Sequence, residues 1–158
     1  MSDKAFYFRA FGLPKAQPRV KACRRGNHAG VYTPKVADDW KSIIRGAADK
    51  SWAGVQLDGP VAVKLLFYLP RPKAHHRANG ELKADAPVWH PSKPDLDNLE
   101  KAVLDALTNL GIWRDDGQVC SVEKQKVYVG ASQRPGLACY VRECSALDRG
   151  AELVWAKF

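Results

Sequence analysis

Residues 93–119 read KPDLDNLEKAVLDALTNLGIWRDDGQV. Leu96, Leu99, Val103, Leu107 and Leu110 recur at the spacing of one helical face, and Asp97, Lys101, Asp105 and Thr108 fall on another. That spacing predicts an amphipathic helix. Its stop is Gly111 followed by Ile112, a glycine suited to the left-handed cap and a hydrophobe to pack back on the last turn. Arg114-Asp115-Asp116-Gly117 then reads as a polar turn, with a strand expected from about Val119 to Val129.

Upstream, Val61 to Leu69 is dense in β-branched and aromatic residues and predicts a buried strand, ended by Pro70 and Pro72. Residues 71–93 form a long polar, basic loop, a length that points to function or disorder. Thr33-Pro34 has the form of a helix start, and Val36, Trp40, Ile43, Ile44 and Ala47 follow at helical spacing until Gly54 and Gly59-Pro60 break the pattern. Phe6 to Gly12 reads as a short aromatic strand, and the basic, aperiodic stretch at 15–30 reads as a loop. Downstream, Arg134-Pro135-Gly136 is a turn, and Leu137 to Cys144 pairs back as a hairpin. Residues 146–158 have no clear period and read as a tail. The expected fold is α+β, a single domain over 1–158, with a small mixed β-sheet, two principal helices and the order β-α-β-α-β-β.

The 158 residues suit one domain with its own core, and 46% hydrophobic with 27% charged residues is ordinary globular composition. The net charge of +8 favours a polyanionic partner such as nucleic acid. Cys23, Cys120, Cys139 and Cys144 include no C-x-x-C pair, so the usual zinc and redox spacings are absent. No stretch resembles a signal peptide or a membrane span, which points to reduced thiols and a cytoplasmic protein.

The acids carry the chemical interest. Asp95 and Asp97 stand where the helix begins, and Asp115 and Asp116 stand just after it ends. A phosphodiester repels nucleophiles; Mg2+ neutralises its charge, acidifies a bound water and steadies the leaving oxygen. Mg2+ takes oxygen ligands, and a few carboxylates are a usual protein contribution. Lys101, one turn after Asp97, is placed to hold a phosphate or to stabilise charge in the transition state. The two acid pairs are separated by a helix roughly 20 Å long. They meet only if the chain folds back after the helix, or if the second pair comes from another subunit.

Each feature also has an ordinary structural reading. Asp95 and Asp97 suit a helix start, Asp97 with Glu100 resembles a capping box, Asp97 with Lys101 is a surface pair, and Asp115-Asp116-Gly117 is a turn. On that reading the chain is a non-catalytic basic DNA-binding module. A third reading, a nucleotide-sugar transferase using Asp95-Leu96-Asp97, is disfavoured by the short chain and the lack of a Gly-rich nucleotide loop.

The whole stretch at 93–119 resembles the signature of the RusA family of Holliday junction resolvases: Asp-Leu-Asp-Asn-Leu at 95–99, Lys101, Asp-Ala-Leu at 105–107, Trp113, then Asp-Asp-x-Gln-Val at 115–119. PKAQPR at 14–19 and YTPK at 32–35 are similar to phage-type relatives, more weakly. The resemblance implies metal ligands at Asp95, Asp97 and Asp116, with Asp115 second in rank, and an essential lysine at Lys101. It implies Mg2+ as cofactor, with Mn2+ able to substitute. It further implies a homodimer that nicks opposing strands of a four-way junction or other branched DNA by attack of a metal-activated water. Arg19, Lys21, Arg24, Arg25, Arg71, Lys73, Arg77 and Lys93 are the DNA-contact candidates, with Lys15 beside them. His90 is a candidate for a phosphate or metal-bound water, whereas His75-His76 reads as a solvated pair. Trp113 reads as core ahead of a base-stacking role. The long 71–93 loop and the extension after about Ser145 depart from compact family members and leave substrate range and dimer contacts open.

Overall fold

Val61–Leu69 starts with three buried residues and then alternates buried with partly buried ones, and this strand is the middle of the molecule. The architecture is that of a computed structural model, which describes residues 4–32 and 34–145. Thr33 and the tail expected at 146–158 lie outside the described residues. The elements in chain order are β1 (Ala5–Phe11), β2 (Lys21–Arg25), β3 (His28–Tyr32), α1 (Asp38–Asp49), β4 (Val61–Leu69), α2 (Leu96–Leu110), β5 (Val119–Tyr128) and β6 (Gly136–Glu143). The α+β reading is thus borne out: two principal helices and a mixed four-stranded sheet in the order β1-β6-β4-β5. β6 is antiparallel to both of its neighbours, β1 and β4, and β5 alone runs parallel to β4.

Val61, Val63, Leu65 and Phe67 of β4 join Trp40 and Ile44 of α1 and Leu99, Val103 and Leu107 of α2 in one buried cluster. Burying a side chain of this kind contributes about 1.5–3 kcal/mol. Lys41 of α1 reaches Asp105 of α2 at 3.2 Å, joining the helices at the rim of that core. The opposite face of the sheet carries Tyr7, Lys64 and Tyr140 in register and has no helix over it among the described residues.

Three local expectations change. The stretch at 15–30 is not all loop: β2 and β3 form an antiparallel ribbon turned by Gly26 at φ 60°. Every described side chain from Lys21 to Val31 is exposed, so no buried face imposed an apolar alternation on this ribbon. The first helix starts later than Thr33-Pro34. Pro34 is extended and precedes a 3-10 turn at Lys35–Ala37, and Asp38 and Asp39 occupy the first turn of α1. Its buried face is Trp40, Ile44 and Ala48; Val36 and Ile43, expected inside, are 63% and 41% exposed. The 71–93 loop is tethered at several points: a 3-10 turn at Lys73–His75, a bridge of His76 to Leu82 and another of Trp89 to Val127.

α2 begins and ends as its sequence requires. Gly111 closes it at φ 86°, its N–H bonding to the carbonyls of Leu107 and Thr108. Cys139 lies in the core, where burial raises its thiol well above the ordinary range, while Cys23 and Cys120 are exposed. Gly136 is fixed by space: a Cβ there would sit 2.2 Å from the Ala10 carbonyl oxygen, in the backbone of β1. Gly136→Ala should therefore separate β1 from β6 locally and cost about 2 kcal/mol or more, read as a lowered denaturation midpoint.

Candidate active site

The parallel pairing of β4 and β5 decides where the acids lie. Parallel neighbours need a crossover, and α2 is that crossover. α2 therefore runs opposite to both strands. Its N-terminal end lies beside the last residues of β5: Lys126 donates to the carbonyls of Ser92 and Pro94, the latter at 2.8 Å, and Lys124 pairs with Glu100. Its C-terminal end lies beside the start of β4, where Leu57 N–H meets the Ile112 carbonyl at 2.7 Å. The fifteen residues of α2 span about 22 Å. Asp95 and Asp97 stand at one end of that span, and Asp115 and Asp116 at the other.

The strand after Asp116 begins beside the C-terminal end of α2, so of the two ways the acid pairs could meet, the fold-back within the chain does not occur. Among the described residues no three His, Cys, Asp or Glu side chains form a metal-sized group. The two ends differ in what their carboxylates already do. Asp95 is the N-cap residue, but its side chain makes no capping hydrogen bond. Asp97 and Glu100 form no capping box, because Glu100 is held by Lys124. Asp97 and Lys101 are exposed, and neither takes part in a side-chain hydrogen bond or ion pair among the described residues. Asp115 is committed to the turn: its Oδ1 accepts the Gly117 N–H at 2.7 Å. Asp116 is exposed in the 3-10 turn at Asp116–Gln118, with its carboxylate uncommitted.

A segment from the N-terminal side completes the surroundings of Asp95. Gln17 N–H bonds to the Asn98 carbonyl at 2.8 Å, which lays residues 16–20 along the start of α2. An open cleft of about 700 Å³ lies between them, with Arg19, Lys93, Asp95 and Asn98 on its walls. A neighbouring cleft of about 340 Å³ shares Arg19 and Asn98 and reaches Lys101. The uncommitted carboxylate of Asp95 thus faces a groove carrying three cations from three parts of the chain, and Asp97 stands two residues further along on α2. This is an arrangement that can hold a hard cation and a phosphate side by side.

The other basic candidates divide by position. Lys21 and Arg24 are exposed on the ribbon, and Arg25 lies at the end of β2. Lys73 and Arg77 are exposed on the 71–93 loop, where Arg77 lies 3.9 Å from Glu81. Arg71 faces inward. It donates to the carbonyls of Val129 and Pro87 and to His75, and its guanidinium lies 5.3 Å from the centre of the Tyr128 ring. It is a clamp between loop and sheet. His90 packs on the same ring at 4.7 Å, and its Nδ1 is buried without a partner among the described residues. Trp113 is core, 1% exposed, with its Nε1 donating to Thr108.

The profile of the family Endodeoxyribonuclease RusA matches residues 12–138. This chain belongs to that family. It is 31% identical over 141 residues to the uncharacterized protein YqaN of Bacillus subtilis, spanning 88% of this chain and 96% of that one. It is also 54% identical over 35 residues to the crossover junction endodeoxyribonuclease RusA of Escherichia coli K12, 22% of this chain and 29% of that protein. A 39-residue match at 46% identity links it to the crossover junction endodeoxyribonuclease of Lactococcus phage r1t, 25% of this chain and 30% of that one.

Sequence reasoning missed three supporting residues. Gln118 of the RusA motif spends its amide on the carbonyls of Leu57 and Gly59, both at 3.1 Å, and so fixes the turn that carries Asp116. Its fixed place in the motif was the available signal. Lys124 and Lys126 hold the start of α2, and no local pattern marks them because their partners lie 24 to 34 residues away. Arg71→Ala should release the loop: amide exchange should quicken at Tyr128, whose N–H bonds to the Val88 carbonyl at 2.8 Å, while β4–β6 amides keep their protection.

Proposed function

We propose that this chain is a Mg2+-dependent endonuclease that resolves four-way junctions and other branched DNA, acting as a cytoplasmic homodimer. The observation that carries the reading is the uncommitted Asp95, with Lys101, on a cationic groove, and the uncommitted Asp97 beside them on α2, inside the motif of a nuclease family. No helix among the described residues is long and apolar enough to cross a membrane.

Asp95 and Asp97 are the first two metal ligands on this reading, and Asp116 of a second copy is the third. The donor set fits the ion: carboxylate oxygens alone, not consumed by caps or ion pairs. When bound, Mg2+ supplies charge neutralisation at the phosphate and a more acidic water, and Mn2+ can substitute. The chain's own residues do the rest. Lys101 faces the groove and binds the scissile phosphate, where its charge counts most as negative charge builds in the transition state. Arg19 and Lys93 hold the flanking backbone. Lys126 keeps Ser92 and Pro94 in place, and so the direction in which Asp95 leaves the helix.

On an end-labelled four-way junction, Asp97→Asn and excess chelator should each abolish symmetric nicking while binding survives. Lys101→Ala should lower the cleavage rate by 100-fold or so while leaving metal binding intact, in the range of a lost electrostatic stabiliser. Full cleavage by Asp97→Asn would refute the assignment. Binding with no nicks by the unaltered chain, in either Mg2+ or Mn2+, would favour the non-catalytic module.

Binding should fall steeply with salt. Arg19→Ala should reduce the slope of log affinity against log salt by about 0.9, one phosphate contact, whereas Arg71→Ala should leave the slope unchanged. Equal changes in the two would undo the division between groove and clamp.

A further inference from the structure

Residues 4–37 contain eight Lys and Arg and no Asp or Glu. The rest of the chain has seventeen of each, so this one segment holds the whole net charge of +8. Its centre is the ribbon of β2 and β3, whose described side chains are all exposed. Lys21 and Arg24 on it have no ion pair or side-chain hydrogen bond among the described residues. A two-stranded ribbon with no core behind it is marginally stable by itself. Charge concentrated on so bare an element suits a polyanion laid against it.

The pairing register sorts the ribbon into two faces. Cross-strand partners share a face, and alternate residues change face. Ala22 with Val31, and Arg24 with Ala29, therefore lie on one face. Lys21, and the pair Cys23 with Gly30, lie on the other. The first face is apolar around a single guanidinium, and Val31 on it is 74% exposed. Base edges in the major groove of DNA offer what such a face needs: thymine methyls for Val and Ala, and the O6 and N7 acceptors of guanine for Arg. The second face carries the Lys21 ammonium on a long stem, which reaches phosphates at the groove mouth. Small side chains at 22, 23, 29 and 30 keep the ribbon slender. Two strands about 4.8 Å apart, with their side chains, enter a groove about 12 Å wide and are too broad for one about 6 Å wide. The ribbon therefore fits the major groove.

Its root ties it to the candidate active site. Arg19, on the wall of the cleft beside Asp95, stands two residues before β2 begins. Arg24 is five residues beyond Arg19, at most about 17 Å of extended chain. Phosphates of one strand follow each other at about 3.4 Å along the DNA axis. A phosphate held at Arg19 thus has Arg24 within reach of bases up to about five positions away.

We propose that the ribbon is a sequence-reading arm. Its face of Ala22, Arg24, Ala29 and Val31 lies on base edges in the major groove of the duplex arm beside the cut. Arg24 takes a guanine, and Lys21 holds the backbone. The proposal rests on the nuclease reading for the position of the cut, and it adds how the bases next to that position are recognised.

Dimethyl sulfate tests the groove, because it methylates guanine N7 in the major groove and adenine N3 in the minor groove. The substrates are uncut four-way junctions in excess chelator, with one G·C pair moved stepwise along an A·T arm. The chain should protect guanine N7 at one or two positions, within about five base pairs of the phosphate that is nicked in Mg2+. Adenine N3 should stay open. Arg24→Ala should lose the protection, bind the preferred junction about tenfold or more weakly, and no longer distinguish it from an all-A·T arm. Lys21→Ala should keep protection and discrimination but lower the slope of log affinity against log salt by about 0.9. Both variants should keep the parent's circular dichroism, since neither side chain touches the core.

The two faces are told apart by thiol reactivity. Junction DNA should shield the thiol introduced by Ala22→Cys from N-ethylmaleimide, while native Cys23, exposed on the other face, should go on reacting. Shielding of Cys23 with an open thiol at 22 would overturn the proposal. So would protection of adenine N3 in place of guanine N7, or guanine protection that persists in Arg24→Ala. Failure of the nuclease reading looks different. Guanine protection that Arg24→Ala removes, on a junction never nicked in Mg2+ or Mn2+, would support the arm and count against the nuclease alone.

Discussion

The parallel pairing of β4 with β5 is the constraint on which the rest of this molecule turns. Two parallel strands cannot be joined by a tight turn, so the chain must travel back over the sheet, and α2 makes that journey. The helix is long because it spans the sheet, and its apolar stripe exists because it covers the sheet. Everything that follows about the acids is geometry. A helix that returns over a parallel pair has its start level with the strand ends and its end level with the strand starts. Acids placed at the two ends of such a helix are held apart by its whole length, and no choice of turn at 111–118 can undo that while β5 stays parallel to β4.

The basic residues show why net charge alone is a poor guide to a binding surface. Lys124 and Lys126 are cations of a basic chain, yet one neutralises Glu100 and the other binds two carbonyls. Arg71 sits in a basic loop and spends its guanidinium on Val129, Pro87 and His75. A guanidinium with planar donors is well suited to such a clamp, because several carbonyls can be satisfied at once. What remains for a phosphate backbone is a smaller set, with Arg19, Lys93 and Lys101 on one groove beside Asp95. Those three come from the N-terminal segment, the long loop and the helix, so their convergence is a product of the fold.

The features legible in the sequence are the ones with a strong local cause. α2 could be read because a buried stripe forces a period and Gly111 forces a stop. β4 could be read because one of its faces is fully buried and the other partly so, which demands apolar residues along most of its length. The ribbon of β2 and β3 was opaque for the opposite reason: its described side chains are exposed, so its pattern is free to be basic. Gly26-Asn27 between two five-residue strands was the one hairpin signal, and charge masked it. The candidate site was half legible. Asp95, Asp97 and Lys101 lie within two helical turns, and spacing alone groups them. The relation of Asp116 to them depends on the direction of a strand pairing, a long-range fact that no local pattern encodes.

This division has a consequence for control of a nuclease. On the arrangement proposed, a lone chain holds two acids at one end of α2 and one at the other, and neither end is a complete metal site. A divalent ion held by two exposed carboxylates keeps most of its water and binds weakly, because much of the affinity comes from closing the ligand shell. Assembly then does more than double the number of sites. It raises metal affinity and cutting power together, in the same step that brings two sites into one particle. A monomer would be a poor nuclease on any DNA, and the enzyme would become competent only in the form that can address two strands at once. Fixing the third ligand at the far end of the helix is, on this view, how the fold couples chemistry to symmetry.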